Sequence, residues 1–226
     1  MANLYGPRIV TDGLVLHLDA GNRNSYPGSG STWYDLSGQG NNGTISGSAT
    51  THSYSTNNGV FTFNKSSGSY INIGLNLSTT NHTIIASSRY VSVNTGVNHD
   101  GGRIVSGLNN NWLLGHWNRS SKKYHPLSWV SNSSGTEFNG DLSWYIWTAI
   151  GNYSIDRWSM YVNDSLHVNS SANGVNGPNG FGLGRYAPGN SEYSNSQVGF
   201  LIAYNRVLTD AEVKQNYKAL KGRYGL

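Results

Sequence analysis

A chain of 226 residues with 29 glycines and only 12% charged side chains is long enough for one large β domain, and its formal net charge of +4 is too small to mark a nucleic-acid binder. The absence of cysteine excludes disulfides, thiolate metal sites and a thiol nucleophile. No apolar run nears the roughly 20 residues of a membrane-spanning helix, and residues 1–10 lack a signal peptide's basic start and apolar stretch, so a soluble chain without membrane insertion is expected.

In chain order, Leu14 to Leu18 reads as a buried strand closed by the turn residues Asp19-Ala20-Gly21-Asn22. A loop dense in Gly, Ser and Asn follows to Gly47, with Trp33, Tyr34 and Leu36 expected to pin it to the body. Short strands are then expected at Gly59 to Phe63, Tyr70 to Ile73, Thr83 to Val93, Arg103 to Ser106, Trp112 to Trp117 and Tyr124 to Val130. Further ones fall at Tyr145 to Gly151, Trp158 to Val162, Leu166 to Asn169, Gly180 to Arg185 and Val198 to Tyr204. Turn residues separate nearly all of them, which predicts a two-sheet antiparallel sandwich or barrel. Two hairpins are expected, one turning at Asn163-Asp164 and one joining Val60–Phe63 to Tyr70–Ile73 across Lys65 to Gly68.

The single expected helix is near the end. Thr209-Asp210-Ala211-Glu212 has the spacing of a capping box, and Val213, Tyr217 and Leu220 fall on one face. Residues 209–221 thus form a short amphipathic helix on the sandwich. No composition shift divides residues 1–226, which read as one domain with residues 1–12 as an extended arm.

Two distant segments together carry a family resemblance. Asp12-Gly13-Leu14-Val15-Leu16-His17-Leu18-Asp19-Ala20, leading to Trp33-Tyr34-Asp35-Leu36-Ser37-Gly38-Gln39-Gly40-Asn41-Asn42-Gly43-Thr44, resembles the opening of concanavalin A-like (laminin-G-like) jelly-roll domains. Val198 to Val213 is similar to that family's closing strand and helix, and Trp158 to Asp164 to its central hairpin. The lead Pro7 to Gly13 and the ending Tyr217 to Leu226 look most like free-standing members from tailed-phage virions. The resemblance implies an all-β jelly-roll sandwich with one C-terminal α-helix. It also implies a structural protein of a virion surface, a capsid decoration or fibre component, held by a neighbouring virion protein and made in the host cytoplasm. An extracellular carbohydrate-binding adhesion module is the alternative, a polysaccharide-active glycoside hydrolase the weaker one, and homo-oligomerisation stays open.

Hydrolysis would need two carboxylates about 5 to 9 Å apart, but Glu137, Glu192 and Glu212 have no acidic partner on the same expected strand. No Gly-x-Ser-x-Gly elbow stands between a strand and a helix either, so no enzymatic activity is expected. Sugars present apolar faces that stack on aromatic rings. Trp117 is opposite in parity to Trp112 and His116, which makes Trp117, Asn118, Arg119 and Tyr124 candidate glycan-binding residues. Trp144, Trp147 and Trp158 read as core. The seven histidines are scattered. Many relatives carry calcium, which the resemblance extends to Asp35 and Asn41, or Asp100, as candidate ligands, since hard cations take oxygen donors.

Overall fold

The computed structural model describes residues 7–46, 50–92, 101–118, 120–130, 141–172 and 175–226. The strands are β1 (Leu14–Asp19), β2 (Thr32–Trp33), β3 (Gly43–Ser46), β4 (Thr51–Ser53), β5 (Val60–Phe63), β6 (Tyr70–Asn76), β7 (His82–Tyr90) and β8 (Val105–Gly107). They continue as β9 (Trp112–Trp117), β10 (Ser120–Pro126), β11 (Tyr145–Asn152), β12 (Arg157–Val162), β13 (Ser165–Ser170), β14 (Asn179–Leu183) and β15 (Ser196–Tyr204), followed by α1 (Asp210–Leu220). They build the expected two-sheet antiparallel sandwich. One sheet runs β13-β12-β11-β7-β15-β5-β4, with β1 also paired to β15, and the other runs β10-β9-β8-β14-β6-β3-β2.

Side-chain alternation divides the apolar residues between two clusters. Ile84 and Ala86 of β7, Trp147 and Ala149 of β11, and Leu201 and Ala203 of β15 face the second sheet and meet Trp112, Leu114, Ile71, Ile73 and Phe181 there. Their neighbours Ile85, Ile146, Phe200, Ile202 and Tyr204 point the other way and pack under α1. A sheet covered on both sides needs apolar residues at both parities, which is why every residue of β15 is buried. A bulge between Val198 and Phe200 keeps the alternation in step with β7.

The helix begins as its sequence dictates. The Thr209 hydroxyl accepts from the Glu212 amide while the Glu212 carboxylate accepts from the Thr209 amide. Arg206 adds a paired guanidinium contact at 2.6 and 3.0 Å that holds the Glu212 carboxyl down at about 2. Val213, Tyr217 and Leu220 are buried as expected. Asn216, unremarkable in sequence, is buried as well: its Oδ1 accepts from the Val10 amide at 2.8 Å and its Nδ2 donates to the Tyr204 hydroxyl at 3.1 Å. The Tyr204 hydroxyl in turn donates to the Val10 carbonyl at 2.9 Å. Residues 8–10 of the expected arm are therefore bound to this domain's own helix.

Two expectations change. The β12–β13 hairpin forms, but β5 and β6 are no hairpin: β5 joins the first sheet and β6 the second. A turn of 3-10 helix at Lys65–Ser67, capped by Asn64 and ended by Gly68 at φ 62°, carries the chain from one sheet to the other. In the long loop Trp33 is fully buried, whereas the Tyr34 ring is 47% exposed and only its backbone is held, by Ser25.

Candidate functional site

The edge of the second sheet collects aromatic and charged side chains on one surface. β9 and β10 form its outer hairpin, turning at Asn118 with φ 50°. Within β9, Trp112, Leu114 and His116 are fully buried and Trp117 is half-buried, as the parity argument required. Gly115 has φ 92°, and a Cβ there would lie 2.7 Å from the Trp147 indole nitrogen, so the bare backbone is the surface on which Trp147 packs. Beyond β10 the chain turns at Leu127 with φ 69°, and the Val130 amide donates back to the Tyr124 carbonyl at 3.1 Å. That turn lays Trp129, 36% exposed, beside Trp117 with ring centroids 5.4 Å apart and planes 37° from parallel. His125 meets the edge of Trp129 at 4.7 Å.

Polar groups frame these rings. The Arg103 guanidinium donates to the Glu192 carboxylate at 2.8 Å and to the Asn111 amide oxygen at 2.6 Å, and lies 4.1 Å from the Tyr186 ring centre. The Trp117 indole N–H donates to the same Glu192 oxygen at 2.9 Å, fixing that ring's orientation. His125 Nδ1 donates to the Asn111 carbonyl at 2.8 Å, and burial depresses the imidazole's pKa despite that bond, so the ring is neutral at pH 7. Glu192 has φ 50°, a conformation uncommon away from glycine, and retains 26% of its side-chain exposure. The arrangement offers two ring faces beside oriented donors and acceptors, the chemistry that stacks a sugar ring and reads its hydroxyls.

The Glu192 loop reaches this position through Gly102. The Arg103 amide donates to the Glu192 carbonyl at 2.9 Å, and a Cβ on Gly102 would stand 1.7 Å from that carbonyl oxygen. Gly102→Ala is expected to push the two segments apart and to cost about 2 to 3 kcal/mol, read as a lowered denaturation midpoint. An unchanged midpoint would contradict the close approach.

Of the residues singled out in the sequence, Trp117 lies in this cluster and Asn118 at the adjoining turn, whereas Arg119 is outside the described residues. Tyr124 is not a rim residue. It is fully buried, 6.1 Å from Trp112 in the core between the sheets, because it pairs with inward-facing Leu114. Its neighbour His125 takes the outward place. Trp129, His125, Asn111, Arg103 and Glu192 were missed. The alternation of Tyr124 and His125 was the available signal for one of them.

Asp35 and Asn41 do come together, but not around a free carboxylate. One Asp35 oxygen accepts from the His17 and Ser37 amides at 2.8 and 2.9 Å, and the other from the Ser37 hydroxyl and the Asn41 amide at 2.7 and 3.0 Å. The Asn41 side chain donates to the Val15 carbonyl at 2.8 Å. These donors occupy the lone pairs a cation would need, so the pair organises the loop against β1. Asp100 and Glu137 lie outside the described residues, among which no group of three or more His, Cys, Asp or Glu could hold a metal ion.

No protein-family model matches the sequence, and no curated protein matches it. Solved structures match in fold. The binding domain of Paraclostridial Mosquitocidal Protein 1 aligns at a TM-score of 0.62 and 16% identity, over 92% of this chain and 52% of that one. The binding domain of botulinum neurotoxin DC, in complex with rat synaptotagmin II, gives 0.65 and 15% over 93% and 52%. Trypanosoma rangeli sialidase gives 0.64 and 17% over 95% and 34%. The chain thus spans about half the length of the toxin structures and about a third of the sialidase. At such identities the likeness is one of fold.

Proposed function

We propose that this domain is a non-enzymatic saccharide-binding module whose contact surface is the Trp117–Trp129 face. The observation that carries the reading is the half-open indole pair, with one ring held by Glu192 and the other 36% exposed. A Trp on a wet surface costs solvation unless a ligand covers it, and a sugar's C–H face is a fitting cover. The fold is shared with structures described as toxin binding domains, which supports a binding role. One Glu192 oxygen accepts from both a guanidinium and an indole N–H in this site, an arrangement that uses the carboxylate to orient the Trp117 ring.

On a glycan array, wild-type protein is expected to give discrete signals that Trp129→Ala weakens at least tenfold, equivalent to about 1.4 kcal/mol. The variant's melting temperature should stay close to wild type, because the ring is partly exposed at the sheet edge. Equal binding by both proteins would remove the reading. New reducing ends after prolonged incubation with polysaccharides would remove its non-enzymatic part.

A place on a virion surface, beside a neighbouring capsid or fibre protein, is a second proposal and rests on the resemblance of the opening and closing motifs. The burial of β15 beneath a capped α1 supports the closing motif's structural part. Absence of the protein from purified particles would sink it.

A further inference from the structure

A second cluster lies on the outward side of the same sheet, and it contains a buried cation without a counterion. Tyr70 and Asn72 of β6 point away from the core that receives Ile71 and Ile73, and Arg185, just beyond β14, lies over them. Arg185 is only 7% exposed. Its guanidinium carbon sits 3.4 Å from the Tyr70 ring centre, its Nη2 is 3.4 Å from the Asn72 amide oxygen, and its Nη1 donates to the Asn190 amide oxygen. Its Nε has no partner at all. Of the four other arginines with partly buried side chains, Arg103, Arg206 and Arg223 each face a carboxylate, Glu192, Glu212 and Asp19 respectively, and the more open Arg89 has its Nε satisfied by the Gln197 amide oxygen. Among the described residues Arg185 faces none.

A charge removed from water is normally paired, so its acceptors show what is missing. The Tyr193 hydroxyl also donates to the Asn190 amide oxygen, at 2.7 Å. One neutral oxygen thus receives a guanidinium N–H and a phenol O–H together, where an oxyanion would be the stronger acceptor. Asn190 itself is exposed, at φ 45°, on a turn closed by the Tyr186–Ser191 bridge. Its exposure makes its side chain the easiest of these groups to displace, while the Arg185 guanidinium stays fixed beneath it.

We propose that Arg185 and Tyr193 form a subsite for an oxyanion, the carboxylate or sulfate of an acidic saccharide, which takes the position of the Asn190 amide oxygen. The saccharide as carrier rests on the reading of the Trp117–Trp129 face, while the anion chemistry rests on Arg185.

The test measures affinity of the full chain for polygalacturonate, dextran sulfate and uncharged dextran at low salt. Wild type is expected to bind one of the acidic polymers at least tenfold more tightly than dextran, and which of the two identifies the anion. Asn190→Asp places a carboxylate on the two donors: it should abolish that gain and raise the melting temperature, whereas Gln39→Glu, with the same charge change at an exposed loop, should retain the gain. Tyr193→Phe, which keeps the ring, should weaken acidic-polymer binding several-fold. Acidic polymers binding no better than dextran, or a gain that survives Asn190→Asp, overturns the subsite. The two readings fail separately. If Trp129→Ala leaves dextran binding intact, the aromatic face fails. If Trp129→Ala loses dextran binding but keeps the charge-dependent gain, both stand.

Discussion

Lowering the pH from 6.5 to 4.5 is expected to remove about 5 kcal/mol of folding stability, chiefly through two buried histidines. Burial depresses His82 to about 4 and His116 to about 3, against only partial opposition from the Thr80 carbonyl and from Asp141 respectively. His82 Nδ1 donates to that carbonyl at 2.7 Å, which leaves its Nε2 as the site of protonation, and this atom has no partner. His116 lies between Tyr90 and Trp147, with Nδ1 3.2 Å from the Ser88 hydroxyl and Nε2 likewise unpartnered. Each folded-state pKa is below the unfolded value near 6.5, so the unfolded chain binds more protons as the pH falls. Stability is complete above about 6.5 and declines by about 1.4 kcal/mol per group for each pH unit below it. Glu212, held at about 2, loses its contribution only below about 4.5 and stays out of this window. Urea denaturation at stepped pH should show the decline, and His116→Phe should make it shallower by about 1.4 kcal/mol per pH unit. A flat profile from 6.5 to 4.5, or an unchanged slope in the variant, would contradict the burial of neutral imidazoles.

Trp147→Ala is expected to cost about 3 to 5 kcal/mol, the range for emptying a large aromatic site in a core. The indole is fully buried between the sheets, stacks on Tyr145 at 4.6 Å, meets His116 edge-on at 5.0 Å and donates to the Ser88 hydroxyl at 3.0 Å. It also fills the space over Gly115, two residues before Trp117. Losing it would therefore loosen the strand that presents the aromatic face as well as the core. The denaturation midpoint should fall with the denaturant slope unchanged, and a loss below about 1 kcal/mol would show that β9 and β11 do not depend on this contact.

The two-sheet architecture was legible because alternation writes itself directly into short strands such as β9, β11 and β12, and because the cap of α1 is encoded within four residues. β2, β3 and β4 were not, since strands of two to four residues inside a Gly- and Asn-rich loop have no period to detect. The crossing between β5 and β6 was hidden for a related reason: two alternating runs around a short polar turn look alike whether they pair or part, and their actual partners are β4 and β15 for one and β3 and β14 for the other. The site was half legible. Trp117 followed from parity, but a bulge between Ser120 and Lys123 shifted β10 so that Tyr124 turned inward and His125 outward. Arg103 and Glu192 are 89 residues apart and meet only through the fold. Asp35 had the composition of a metal ligand, yet its neighbours supply amides, which local sequence does not reveal.

The most direct measurement is a titration of 15N-labelled protein with the strongest array glycan, observed at the indole N–H resonances of its seven tryptophans. Binding at the proposed face shifts Trp117 and Trp129 and leaves the buried Trp33, Trp112, Trp147 and Trp158 unmoved. Saturable binding that shifts neither Trp117 nor Trp129 would contradict it.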